Sequence, residues 1–324
     1  MKILQIGAGR EFALLEMPTP QPGPGEVLMR VEAVTTCPQW DLHLRHNEPM
    51  FIGHQFHYPY TPGQPGHEAT GEIAALGEGV MGLVVGDRVS AWRDPGHHNP
   101  GCYAQYVVQR AENVIRVPAE LPMDATAPVE LAMCVGAIFL MLRPWNIMAG
   151  KRIGISGLGP AGLIAAQMAS AEGAAEVIGF DLSAARRDFA CAHGVDIAYD
   201  PRRSALTDIF PARPAPPQLD SAIDCVGAKT SVEFLMDRVR HVVALFGVQR
   251  ENYAYTPHHS PGLTLSGYPG HSRAAAEYAV GLIERGLLNL APLVTQHLPL
   301  ERYADGIDLL ERQEALKVCF HPWG

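Results

Sequence analysis

The chain has little charge for its length and no concentration of positive charge. Charged residues make up 18% of 324 positions, the formal net charge is −9, and the longest basic groupings, Arg186-Arg187 and Arg202-Arg203, are only pairs. With no basic stripe to offset the acidic balance, neither a nucleic acid nor an anionic membrane is expected as a partner. Uninterrupted apolar runs of eighteen or so residues are missing too, so no membrane span is expected. The opening stretch, MKILQIGAGREFALLEMPTPQPGPG, lacks the apolar core and cleavage site of a signal peptide. Its six cysteines, Cys37, Cys102, Cys134, Cys191, Cys225 and Cys319, show no C-x-x-C spacing. A disulfide framework is therefore not expected, and a reducing, cytoplasmic setting is. No internal repeat or low-complexity tract stands out.

What is present suits a globular protein of two domains. Hydrophobic residues account for 47% of the chain, and 324 residues exceed one ordinary core. The first third holds short Val/Ile-rich runs broken by Gly and Pro: VLMRVEAV, GEIAAL, DRVSAW, YAQYVV and NVIRVP. Such runs predict a barrel-like antiparallel arrangement. From about residue 135 the rhythm changes to RIGISG, PAGLIAAQMASAEG, EVIGFD, SAARRDFACAHG, SAIDCVG and HVVALFGV. Apolar strands alternating with helical patterns predict β-α-β units and a parallel sheet. The last stretch, from PLVTQHLPL to KVCFHP, predicts a strand, a helix and a strand that return to the first domain.

GISGLGPAGLIAAQ carries the clearest chemistry. Gly157, Gly159 and Gly162, with Pro160 and Ala161 between them, have the G-x-G-x-x-G spacing, preceded by an apolar strand and followed by an Ala-rich helix. The first glycine allows a tight turn, the second a close approach of backbone to a pyrophosphate, and the third close helix–strand packing, with free N–H groups at the helix start. Asp181, 19 residues after Gly162, ends the next strand. Its carboxylate accepts from the ribose hydroxyls of NAD and repels the 2′-phosphate of NADP. Arg186 nearby contacts the adenosine ribose or softens that preference.

The segments EMPTPQPGPGEVLMRVEAV, PGHEATGEIAALGEGVMGLVVGDRVSAW, AGKRIGISGLGPAGLIAAQMA and GLLNLAPLVTQHLPLERYADGIDLLERQEALKV together resemble zinc-dependent, alcohol dehydrogenase-like members of the medium-chain dehydrogenase/reductase superfamily. The resemblance covers nearly the whole chain in order. It implies a GroES-like β-barrel catalytic domain, residues 1–135 with 289–324, interrupted by a Rossmann domain of doubly wound parallel sheet, residues 136–288. It implies NAD and a catalytic zinc, and a homo-oligomer, dimer or tetramer.

Gly66-His67-Glu68 resembles the family's zinc-binding GHE, with His67 a ligand and Glu68 beside the metal. The family's first ligand is a cysteine three residues before an aspartate. Here, in TTCPQWDLH, Cys37 lies four before Asp41, with His43 two beyond it. The resemblance keeps Cys37 on the metal through a one-residue bulge. It also leaves the relay hydroxyl missing, since Gln39 or Trp40 stands there. The resemblance makes Cys134 the third ligand, with Glu130, four residues before it and so on the same helical face, or Glu68 in reserve. The family's cluster of four cysteines is absent, so one zinc per chain is implied and no tetracysteine structural site. His97, His98, His54 and His57 read as solvated loops.

The reaction so implied is NAD-dependent, zinc-assisted oxidation of a small alcohol to a carbonyl, or the reverse, with His43 the relay base, Asp41 and Glu68 at the site, and Gly247 and Val248 along the nicotinamide. Two other readings stay open: a zinc-free quinone or enone reductase of the same superfamily, and a catalytically silent nucleotide-binding relative.

Overall fold

The computed structural model describes residues 1–94, 96–203 and 206–324; Pro95, in the loop DPGHHNPG, is outside them. The chain divides into two units: residues 1–133, 276–284 and 289–324 form the first, and residues 134–275 and 285–288 the second.

In chain order the first unit opens with β1 (Lys2–Ile6), β2 (Phe12–Glu16), β3 (Glu26–Thr35), α1 (Pro38–His46), β4 (Glu68–Leu76), β5 (Arg88–Ala91), β6 (Tyr106–Arg110), β7 (Val114–Arg116) and α2 (Met123–Thr126). The division falls within α3 (Val129–Leu142). The second unit contains β8 (Arg152–Ser156), α4 (Pro160–Ala171), β9 (Glu176–Phe180), α5 (Ala184–Cys191), β10 (Ile197–Tyr199), α6 (Leu206–Ile209), β11 (Leu219–Asp224), α7 (Lys229–Met236), β12 (Val239–Leu245) and β13 (Thr264–Gly267). After α8 (Arg273–Glu284), β14 (Val294–Pro299), α9 (Tyr303–Glu311) and β15 (Lys317–His321) complete the first unit.

In the first unit one sheet runs β14-β15-β3-β4-β5-β7, with β6 also on β3, and β1-β2 form a hairpin. Strand β3 organises it. Its alternation buries Val27, Met29 and Val31, which pack with Ile73, Val89, Val107, Val318 and Phe320. The pairs β3–β4 and β3–β6 are antiparallel, as the first-third pattern predicts; β15 also joins β3 antiparallel, whereas β14 and β15 run parallel. The other face of β15 is covered by α2, where Cys319 packs with Ala33, Ala127 and Met123.

The second unit is one six-stranded parallel sheet in the order β10-β9-β8-β11-β12-β13. Numbered within the unit, that order is 3-2-1-4-5-6, the doubly wound arrangement, and its switch point lies between β8 and β11. The sequence patterns do not single out β10 or β13, which are short and partly exposed edge strands.

One segment, Met123–Trp145, 23 residues with an 18-residue window of mean hydropathy 1.9, is long and apolar enough for a membrane span by length and composition alone. It escapes notice as an apolar run because Pro128 and Glu130 interrupt it. With 78% of its most apolar window buried in the protein, it has the environment of a core helix.

Candidate active site

The ends of β8, β9, β11 and β12 build the dinucleotide half. Gly157 follows β8 with φ +85, and Gly159 precedes α4 as its N-cap, with Pro160 and Ala161 opening the helix. A Cβ on Gly162 would lie 1.9 Å from the Gly157 carbonyl oxygen, so only glycine lets the helix approach the turn. At Gly159 no atom lies within 4 Å of an added Cβ, leaving backbone open to a phosphate above a twelve-residue helix. The residues therefore fit a pyrophosphate.

Asp181 sits at the end of β9, where its Oδ2 accepts from Leu158 N–H at 2.8 Å and its Oδ1 from Ser183 N–H at 2.8 Å. A carboxylate has about four lone-pair positions, so capacity for ribose hydroxyls remains. Ser183 caps α5 by accepting from the Arg186 N–H. It is Arg187 that reaches back, donating at 2.7 Å to the Asp181 carbonyl and at 3.1 Å to that of Leu182. Sequence reasoning named Arg186 and passed over its neighbour. Across the switch point, buried Asp224 accepts from Ser231 Oγ at 2.5 Å, Gly227 N–H at 2.9 Å and Gln249 Nε2 at 3.2 Å. Burial raises its pKa against those bonds. Gly247 meets this turn: a Cβ there would lie 2.3 Å from Gly227 N, and one on Gly227 2.3 Å from the Val248 carbonyl oxygen.

The first unit gathers the metal-type groups. Donor atoms of Cys37, His67 and Glu68 lie within 4.8 Å of one another. His67 Nε2 is 3.8 Å from Glu130 Oε2, and its Nδ1 faces Asp94 Oδ2 at 3.9 Å. That Nδ1 is buried without a hydrogen-bond partner. Burial opposes the charged imidazole, yet Cys37, Glu130 and Asp94 hold its pKa well above the ordinary value. Acidic groups crowding a buried imidazole call for a cation, and thiolate, imidazole and carboxylate are the donors zinc takes. The residues fit that metal. Cys134, one turn beyond Glu130 on α3, belongs to the second unit, where its Sγ lies within 4.8 Å of His271.

Around these donors the fold fixes each group. Cys37 precedes α1 as its N-cap with Pro38 at the first turn, and its N–H donates to Asp41 Oδ2 at 2.9 Å. Asp41 is fully buried and accepts from Tyr103 Oη at 3.0 Å and Tyr303 Oη at 2.8 Å. Burial pushes its carboxyl up to about 6, restrained by these bonds, by His67 and by the Cys37 N–H. Glu68 is equally buried; Lys317 Nζ donates to both its oxygens at 2.6 Å and to the Thr36 carbonyl at 2.6 Å, while Thr35 Oγ1 donates at 3.2 Å. His43 Nδ1 lies 3.1 Å from the Glu48 carbonyl, which only accepts, so this nitrogen carries the proton. Its Nε2 then accepts from the Gln39 amide at 3.1 Å.

Two histidine loops differ from the solvated loops predicted. His97 lies against Trp40 with ring centroids 4.0 Å apart, and His54 meets Trp40, Phe51 and Phe56 at 5.7, 4.9 and 4.6 Å. Aromatic contact outweighs solvation because Trp40, on α1, supplies a large face beside both loops. Asp94, Lys317, Tyr103 and Tyr303 were missed by sequence reasoning; only the DPGHH turn gave a local signal, for Asp94.

Residues 23–119 match the family model described as alcohol dehydrogenase GroES-like domain, and residues 160–277 the one described as zinc-binding dehydrogenase. Similar proteins include a sorbitol dehydrogenase of Halalkalibacterium halodurans, 27% identical with 98% of this chain and 97% of that protein covered. An L-threonine 3-dehydrogenase of Proteus mirabilis is 25% identical, with 94% of each covered. Among solved structures, an Escherichia coli CFT073 protein described as a short chain alcohol dehydrogenase complexed with NADH has a TM-score of 0.85 at 20% identity, covering 99% of each chain. At that identity the likeness concerns the fold.

Proposed function

The chain belongs to the zinc-dependent, alcohol dehydrogenase-like family, as an oxidoreductase that acts on alcohols by hydride transfer, and we propose that its metal set is Cys37, His67 and Glu130 and its substrate an alcohol with an apolar substituent. The carrying observation is that donor atoms of Cys37, His67 and Glu68 lie within 4.8 Å of one another while Glu130 Oε2 stands 3.8 Å from His67 Nε2, with Asp94 facing the second imidazole nitrogen. When bound, zinc would polarise the alcohol oxygen as a Lewis acid and the nicotinamide would accept the hydride. Every other task falls to side chains. Asp94 Oδ2, 3.9 Å from the unbonded Nδ1 of His67, is the group that would orient this imidazole by closing to hydrogen-bond distance, as carboxylates behind metal-ligating histidines do. Asp41, held by two tyrosines, positions the Cys37 backbone. Lys317 holds the Glu68 carboxylate in reserve beside the donors.

The missing relay hydroxyl changes the proton path. An amide neither takes up nor releases a proton near neutrality, so Gln39 cannot pass one to His43. We assign His43 to orienting Gln39, with the proton leaving through water. Trp40, three residues from Cys37 and in ring contact with Phe51, Phe56 and His97, supports an apolar substrate side, since His97 and His67 both face Asp94 at 3.9 Å. Asp181 favours NAD. The six free cysteines support a reducing, cytoplasmic setting, and the open edge at β13 supports pairing with a second copy.

A panel of alcohols with NAD tests this reading. Secondary alkanols and aryl alcohols should give kcat/KM at least about tenfold above sorbitol and L-threonine, a difference of roughly 1.4 kcal/mol. His67→Ala should lower bound zinc by about one equivalent and abolish turnover. Equal use of sorbitol would refute the apolar substrate; undiminished zinc in His67→Ala would refute the metal set, and enones should then be tried.

A further inference from the structure

A second group of metal donors lies on the first unit, separate from the residues assigned above. His297 on β14 is in register with Cys319 on β15, and His321 follows Cys319 by two residues. Alternate residues of a strand share a face, so all three side chains project from one side of the sheet. Their donor atoms lie within 4.8 Å of one another. His297 Nδ1 is 3.3 Å from His321 Nε2 and 3.5 Å from Oδ2 of Asp124, on α2 above that face. Zinc bonds of 2.0–2.3 Å at tetrahedral angles put neighbouring donors roughly 3.3–3.8 Å apart. The two measured edges fall in that range without any movement.

The surroundings also suit an ion. His321 Nδ1 lies 3.3 Å from the Glu32 carbonyl, which can only accept, so the proton sits on Nδ1 and the Nε2 lone pair faces His297. Asp124 Oδ1 is occupied by the Ala125 N–H at 2.8 Å, leaving Oδ2 toward the histidines. Zinc binds cysteine as the thiolate, so the Cys319 proton would be released on binding.

We propose that His297, His321, Cys319 and Asp124 form a second site for zinc or a similar divalent transition metal, clamping β14, β15 and α2 together. It replaces the expectation of one zinc per chain, and it goes beyond the catalytic reading because it shares no ligand with it. Three donors of mixed N and S are gathered within 4.8 Å, and Asp124 Oδ2, 3.5 Å from His297, would complete a closed, structural set of four.

The test uses zinc itself. Chelator-treated full chain is dialysed against zinc and the bound metal measured by elemental mass spectrometry. Wild type should bind about two equivalents, and His297→Ala and His321→Ala about one each, with turnover of the best alcohol unchanged. His297 is 46% exposed on its side chain, so its truncation leaves the fold intact, checked by circular dichroism. In a His67→Ala background, cobalt should still give a thiolate-to-metal charge-transfer band, lost on adding Cys319→Ser. Two outcomes overturn the proposal: His297→Ala and His321→Ala binding as much zinc as wild type, or wild type binding one equivalent that His67→Ala loses. One equivalent lost in His297→Ala but kept in His67→Ala would uphold this site and refute the catalytic metal set instead.

Discussion

Replacing Lys317 by methionine should unfold the first unit more readily than any surface change. Both Lys317 and Glu68 have side chains with 0% exposure, and the ammonium lies 2.6 Å from both carboxylate oxygens. Methionine matches the stem but leaves Glu68 buried with only Thr35 as a donor. Breaking a buried pair from one side costs about 3–5 kcal/mol, because the remaining charge stays uncompensated. The Thr36 carbonyl loses its donor as well. For a domain of this size each kcal/mol moves the melting temperature by about 2–4 °C, so the expected fall is roughly 6–20 °C. Urea unfolding of chelator-treated protein, followed by tryptophan fluorescence, gives the same quantity without bound metal. The decisive arm is the double variant Lys317→Met with Glu68→Leu. Replacing both partners by apolar groups removes the stranded charge, so most of the lost stability should return. A single variant that loses less than about 1 kcal/mol would refute the reasoning, since that is the range of an exposed pair. So would a double variant no better than the single.

Other outcomes follow from the same geometry. Asp181→Ala removes the charge facing the ribose and should raise the ratio of kcat/KM for NADP over NAD at least about tenfold; an unchanged ratio would mean that Arg187 and the backbone set the preference. Gly162→Ala puts a Cβ 1.9 Å from the Gly157 carbonyl oxygen, so NAD affinity by calorimetry should fall about 10–100-fold through overpacking of the turn. Tyr303→Phe withdraws one donor from buried Asp41 and should cost about 1–3 kcal/mol in urea unfolding. His43→Gln should reduce kcat less than about tenfold if water carries the proton, whereas a relay base would lose about 100-fold or more, with a changed pH profile.

Local patterns in the chain were legible because their physics is local. The glycine spacing at 157–162 and the strand before it announce a turn that only glycine can make, and the structure has that turn. GHE could be recognised without knowing its partners. Partners were not legible, because they arrive by strand pairing across the whole chain: Lys317 reaches Glu68 from 249 residues away, and Tyr303 reaches Asp41 from 262. His297, Cys319 and His321 are ordinary strand residues until β14 and β15 come into parallel register. The irregular TTCPQWDLH shows how spacing misleads when its element is unknown. Counted along an extended loop, four residues from Cys37 to Asp41 is one too many. Counted on a helix it is one turn: the Asp41 N–H donates to the Cys37 carbonyl at 2.9 Å, and the Asp41 carboxylate accepts from the Cys37 N–H at 2.9 Å. Pro38 starts that turn at the position where a missing N–H costs nothing. The extra residue is therefore absorbed by beginning α1 immediately after the thiol, which keeps Cys37 outside the helix and within reach of His67.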